Sequence, residues 1–124
     1  MRLQHVSVIV PTGRDARERA IAFYAGLLGL AQRDVPPHLD PESVIWFRAG
    51  GDLEVHLIQE GAPAQDQRHL CLELEGDDLD ELRARIEANE IETSDATPIV
   101  GRPRFFCRDP FGNLVELTRI DQVV

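Results

Sequence analysis

One order of segments runs through this chain twice. His5-Val6-Ser7-Val8 returns as His69-Leu70-Cys71-Leu72, 64 positions on. Ala16–Leu30 returns as Asp77–Ile91, about 61 on, and Val55-His56-Leu57 returns as Val115-Glu116-Leu117, 60 on. Offsets that drift so little mean that loop lengths differ while the order is kept. In 124 residues this leaves room for one small domain made of two half-domains. The alternative is an unrelated α+β domain whose order repeats by coincidence.

The repeated order follows from hydrophobic period. His5–Val10 is short and β-branched and reads as a strand, ended by Pro11-Thr12-Gly13. From Asp15 the period changes: Ala20, Phe23, Tyr24, Leu27 and Leu28 form one helical stripe, with Gly29 suited to the helix C-terminus. Leu30–Val35 is a candidate short strand. The loop Pro36–Pro41 holds two adjacent prolines, which break any ladder. Ser43–Arg48 and Leu53–Gln59 read as a hairpin about Ala49-Gly50-Gly51-Asp52. A linker-like stretch, 61–67, separates a first module of about 1–60 from a second of about 68–120. There His69–Leu74 is a strand, and Asp77 and Asp78 offer N-cap chemistry for a helix with Leu79, Leu82 and Ile86 inward and Arg83 on its outer face. Asn89 is expected to close that helix in a left-handed conformation. Ile91–Ser94, Pro103–Arg108 and Leu114–Ile120 are the remaining strands, the last two joined by Asp109-Pro110-Phe111-Gly112-Asn113. The reading is α+β: strand, helix, three strands, then the same again.

Alternation along the strands singles out four side chains, because successive residues point to opposite faces. Val6, Val8 and Val10 oppose His5, Ser7 and Ile9; Val55 and Leu57 oppose Glu54, His56 and Ile58. Leu70, Leu72 and Leu74 oppose His69, Cys71 and Glu73; Val115 and Leu117 oppose Leu114, Glu116 and Thr118. The helices need the apolar faces. The other faces then carry His5, His56, His69 and Glu116, whose nitrogen and oxygen donors suit Zn, Ni, Fe, Mn or Co. A lone strand histidine is ordinarily a polar edge residue; four donors of matching parity make a metal site the sharper reading. Glu54 shares the face with His56, and a one-residue bulge would change which of them points inward. Cys71 is a pocket liner or a small apolar filler.

Other features set limits. The net charge of −9 disfavours nucleic acid as a partner. All thirteen basic residues are Arg, which excludes a Schiff-base lysine. Cys71 and Cys107 make no disulfide framework and suit a reducing setting. No apolar run is long enough for a membrane span, and Met1–Val10 is too short for a secretory signal, so a cytoplasmic protein is expected. Arg102, Arg104 and Arg108 are either a clamp for an anionic substrate or solvated surface. Asp77, Asp78, Asp80 and Glu81 complement a helix dipole rather than a metal.

The sequence resembles the vicinal oxygen chelate superfamily, which includes glyoxalase I, bleomycin-binding proteins, fosfomycin resistance proteins and extradiol dioxygenases. The likeness spans nearly the whole chain and rests on His5-Val6-Ser7-Val8, Phe23-Tyr24-Ala25-Gly26-Leu27-Leu28-Gly29-Leu30, Arg68-His69-Leu70 and Arg108-Asp109-Pro110-Phe111-Gly112-Asn113-Leu114-Val115-Glu116-Leu117. It implies paired βαβββ modules forming a cup-shaped mixed sheet with helices outside, and a divalent metal held by His5, His56, His69 and Glu116. It also implies a homodimer whose sites are sometimes shared between chains. His56 stands where glyoxalase I has a glutamate, leaving Glu116 as the one carboxylate able to carry a proton. The expected function is a metal-dependent enzyme acting on a small substrate that chelates through vicinal oxygens, by lyase, isomerase or dioxygenase chemistry. The alternative is a non-catalytic module that binds an antibiotic or metabolite.

Overall fold

The computed structural model describes residues 2–37, 39–61, 68–76 and 78–120. His38, Asp77 and most of the 61–67 linker therefore lie outside the described residues. The chain divides into two units, residues 1–65 with 110–113, and 66–109 with 114–124.

In the first unit the order is β1 (His5–Val10), α1 (Arg14–Ile21), a π-helical continuation (Ala22–Leu27), β2 (Ala31–Arg33), β3 (Val44–Arg48) and β4 (Glu54–Gln59). The sheet order is β1-β4-β3-β2, with β1 parallel to β4 and the other pairs antiparallel. The second unit repeats this: β5 (His69–Glu73), α2 (Leu79–Ala88), β6 (Thr93–Asp95), β7 (Arg104–Arg108) and β8 (Leu114–Thr118), in the order β5-β8-β7-β6. Two helices and two four-stranded mixed sheets make this an α+β fold of the expected βαβββ repeat.

Each sheet buries the face that alternation selects. In the first unit Val10, Ile45, Phe47, Val55 and Leu57 are buried together with Ala16, Ala20, Phe23 and Tyr24. The Tyr24 ring lies 5.8 Å from that of Phe47. In the second, Phe105, Cys107, Val115 and Leu117 are buried with Leu79, Leu82 and Ile86. Removing each large side chain from water contributes roughly 1.5–3 kcal/mol, which fixes which face the helix covers.

Local departures have local causes. The stripe expected to form one α-helix widens into π geometry at Ala22–Leu27, where Leu28 N–H donates to Phe23 O at 2.9 Å. Gly29 then turns the chain with φ +80°, as its position suggests. Asn89 is not the left-handed residue at the end of α2. It keeps φ −96° and donates its side-chain amide to Arg85 O at 2.8 Å, and Glu90 takes φ +63° instead. Asp78 is the N-cap, accepting from Asp80 N–H at 2.8 Å. Arg83 does not stand free on an outer face: its guanidinium lies 5.3 Å from the Phe105 ring centroid and bonds Thr93 Oγ1 and Asp95 Oδ1. Among the described residues, no helix is long and apolar enough to cross a membrane.

Candidate functional site

Strand pairing puts the singled-out residues in equivalent places. In the first sheet Ser7 faces His56 across the parallel β1–β4 ladder; in the second Cys71 faces Glu116 across β5–β8. His5 and His69 each stand two residues before that contact. The two sheets thus carry the same pair of positions on the face away from the buried core.

On the first sheet these positions belong to a row of flat groups that crosses all four strands. Trp46 is in register with His56, and their rings stack at 3.9 Å with parallel planes. His56 stacks in turn on His5 at 4.2 Å and 17°. The Arg33 guanidinium lies 5.5 Å from the Trp46 centroid at the other end of the row. Glu54 underlies it: Arg33 bonds the carboxylate through Nη1, and His56 Nε2–H donates to its Oε1 at 2.9 Å. The His56 bond, then Arg33, hold the Glu54 carboxyl down at about 2. An ionised Glu54 only accepts, so it keeps a proton on His56 Nε2. His5 Nδ1 donates to Gln4 Oε1 at 2.6 Å, leaving Nε2 as its open donor.

An ion binds an imidazole along the in-plane lone pair. Two rings stacked within 17° of parallel aim those lone pairs side by side rather than at one point. His5 and His56 are therefore neighbours, but not a chelating pair in this conformation.

The second sheet brings its two residues to a common point. His69 Nε2 lies 3.1 Å from Glu116 Oε1, on neighbouring parallel strands. Metal–nitrogen and metal–oxygen bonds are each about 2.0–2.2 Å, so donors this far apart suit one shared ion. Arg104 Nη1 also approaches Glu116 Oε1, at 3.4 Å, and its guanidinium lies 5.6 Å from the Phe106 centroid. The His69 ring meets Phe106 edge-on at 5.5 Å. Packing around the Cys71 thiol, then the Glu116 carboxylate, push that thiol up to about 12, so it stays neutral. Cys107, on the buried face, is likewise held at about 12 by burial. Among the described residues no three His, Cys, Asp or Glu side chains form a group that could hold a metal; the donors come as one pair on each sheet.

A family model described as the Glyoxalase/Bleomycin resistance protein/Dioxygenase superfamily matches residues 2–117. The chain belongs to that superfamily. Among solved structures, this superfamily member is similar to a glyoxalase-family protein from Bacillus anthracis, at 29% identity and TM-score 0.84, covering 97% of this chain and 95% of that one. It is similar to an antibiotic-binding protein from Streptomyces sp. CB03234, at 22% identity and TM-score 0.73, over 97% of this chain and 96% of that one. It is also similar to a lactoylglutathione lyase from Agrobacterium tumefaciens, at 22% identity and TM-score 0.68, over 95% and 92%. No curated protein matches. The last two likenesses establish fold alone.

Parity singles out His5, His56, His69 and Glu116, and all four stand on the face of their own sheet opposite its apolar core, His56 buried there. It did not foresee the Arg33–Trp46–His56–His5 row or the role of Glu54 as the partner of His56. The available signal for Glu54 was its i, i+2 spacing from His56 on one strand.

Proposed function

We propose that this chain is a divalent-metal-dependent enzyme of the glyoxalase superfamily acting on a small substrate with two vicinal oxygens. The observation that carries the reading is the His69–Glu116 pair, 3.1 Å apart on rigid neighbouring strands. His5, His69 and Glu116 are the first three ligands, with the two units drawn from one chain or from two chains of a homodimer. His56 would be the fourth donor, once its ring leaves the stack on His5 and its bond to Glu54. The bound ion would supply Lewis acidity toward the vicinal oxygens and their developing negative charge. The chain's own part is proton movement. Glu116 is the base that takes and returns a substrate proton, and Arg104, 3.4 Å away, holds the carboxylate in place.

Elemental analysis of protein purified without a His-tag tests this. We expect about one divalent ion per chain, less in His69→Ala, and unchanged occupancy in Arg14→Ala. No bound ion, and no thermal shift on adding Ni, Zn, Mn or Fe, would favour a second reading. That reading is a metal-free module for an antibiotic or metabolite. It is supported by the protein partners that already satisfy both donor pairs, Glu54 at His56 and Arg104 at Glu116.

A further inference from the structure

Gln4, one residue before β1, is held along its backbone and at both ends of its amide. Its carbonyl accepts from the Glu54 N–H at 2.9 Å, which seats it beside the start of β4. Its side-chain Nε2 donates to Asp52 O at 3.4 Å, and the ionised Glu54 carboxylate is a second acceptor for the same amide. Its Oε1 lies 2.6 Å from His5 Nδ1. A peptide carbonyl and a carboxylate only accept, so the amide turns its nitrogen to them. The oxygen is then the atom left for His5. An amide oxygen carries no proton, so the proton in that 2.6 Å contact sits on Nδ1. The neutral imidazole therefore keeps its lone pair on Nε2.

Which nitrogen a histidine offers to a ligand is set by the hydrogen bond that the other nitrogen makes. His5 is exposed, so without Gln4 water would serve both nitrogens and neither would be fixed. We propose that Gln4 is a positioning residue for His5: its amide, braced on Asp52 and Glu54, holds the proton on Nδ1 and presents Nε2 as the ligating nitrogen. Glu54 thereby reaches both imidazoles of the first sheet, His56 directly and His5 through Gln4. Groups that hold a ligand's second nitrogen in this way are worth roughly 10–100-fold in metal affinity. The ligating part of the inference rests on the metal reading; the proton placement does not.

Long-range proton–nitrogen NMR of the full metal-free chain at about pH 8.5, where a free imidazole is neutral, locates the proton on each histidine ring. We expect His5 to carry it on Nδ1 in the wild type. Gln4→Met keeps the side-chain length and removes both polar ends. It should move that proton largely to Nε2, the form a free imidazole side chain favours in water, and leave the His69 signals unchanged. Gln4→Glu keeps an oxygen for Nδ1 and should keep the wild-type pattern. Titration with zinc should show roughly 10–100-fold weaker binding in Gln4→Met than in the wild type. A proton on Nε2 of wild-type His5 would overturn the proposal. So would a Gln4→Met protein whose His5 pattern or zinc affinity equals the wild type's. A wild type that binds no zinc and carries the Nδ1 proton would contradict the metal reading and still support the orienting role of Gln4. If Gln4→Met does not fold, the wild-type and Gln4→Glu spectra decide.

Discussion

Glu54 shows how much one side chain organises. It accepts from His56, pairs with Arg33, and is almost fully buried while doing so. Its folded carboxyl, at about 2, lies below its ordinary value of 4.5. A depressed pKa contributes stability that is complete above the unfolded value and is lost as pH falls toward the folded one. In the metal-free protein, Glu54→Gln should lower unfolding free energy near pH 7 by about 1–3 kcal/mol, the range for a buried charged hydrogen bond. The gap between wild type and variant should narrow from pH 4.5 down to about 2, and denaturant unfolding across that range would show it. Parity alone placed Glu54 beside His56 on the face opposite the apolar core. It could not say that they bond, because alternation fixes a face and leaves side-chain partners undetermined. Arg104 was legible only as one of three candidate arginines, since Arg102, Arg104 and Arg108 all sit before or on one strand and nothing in the sequence says which of them meets Glu116.

At the scale of elements, period and capping chemistry carried most of the reading. The strands fell within one or two residues of their expected ends, because alternation is strict where one face is buried. The π-helical turn at Ala22–Leu27 was invisible, since an apolar stripe at i, i+3, i+4 describes a helix without fixing how tightly each turn is wound. The end of α2 was missed by one residue, because Asn89 found a helix carbonyl for its amide and passed the left-handed turn to Glu90. The start of α2 rests on Asp78, which caps the N–H groups of Asp80 and Glu81. Asp78→Ala should destabilise the chain by about 1 kcal/mol in urea unfolding, with the spectroscopic signals of the first sheet unchanged. A loss below a few tenths would show that the cap is not used in solution.

For the whole molecule, the duplicated order is the fact from which the rest descends. It yields two sheets of one topology, and in each a pair of equivalent positions on the open face. The pairs have diverged: stacked imidazoles in the first, an imidazole and a carboxylate in the second. The central claim is that these nitrogens and oxygens, and not the Cys71 thiol in register with Glu116, hold a divalent ion. X-ray absorption at the metal edge of the ion-loaded protein tests this directly. The account predicts a shell of nitrogen and oxygen at about 2.0–2.2 Å with the outer scattering of imidazole, weakened in His69→Ala. A sulfur shell at about 2.3 Å, or a shell with no imidazole signature, would contradict it.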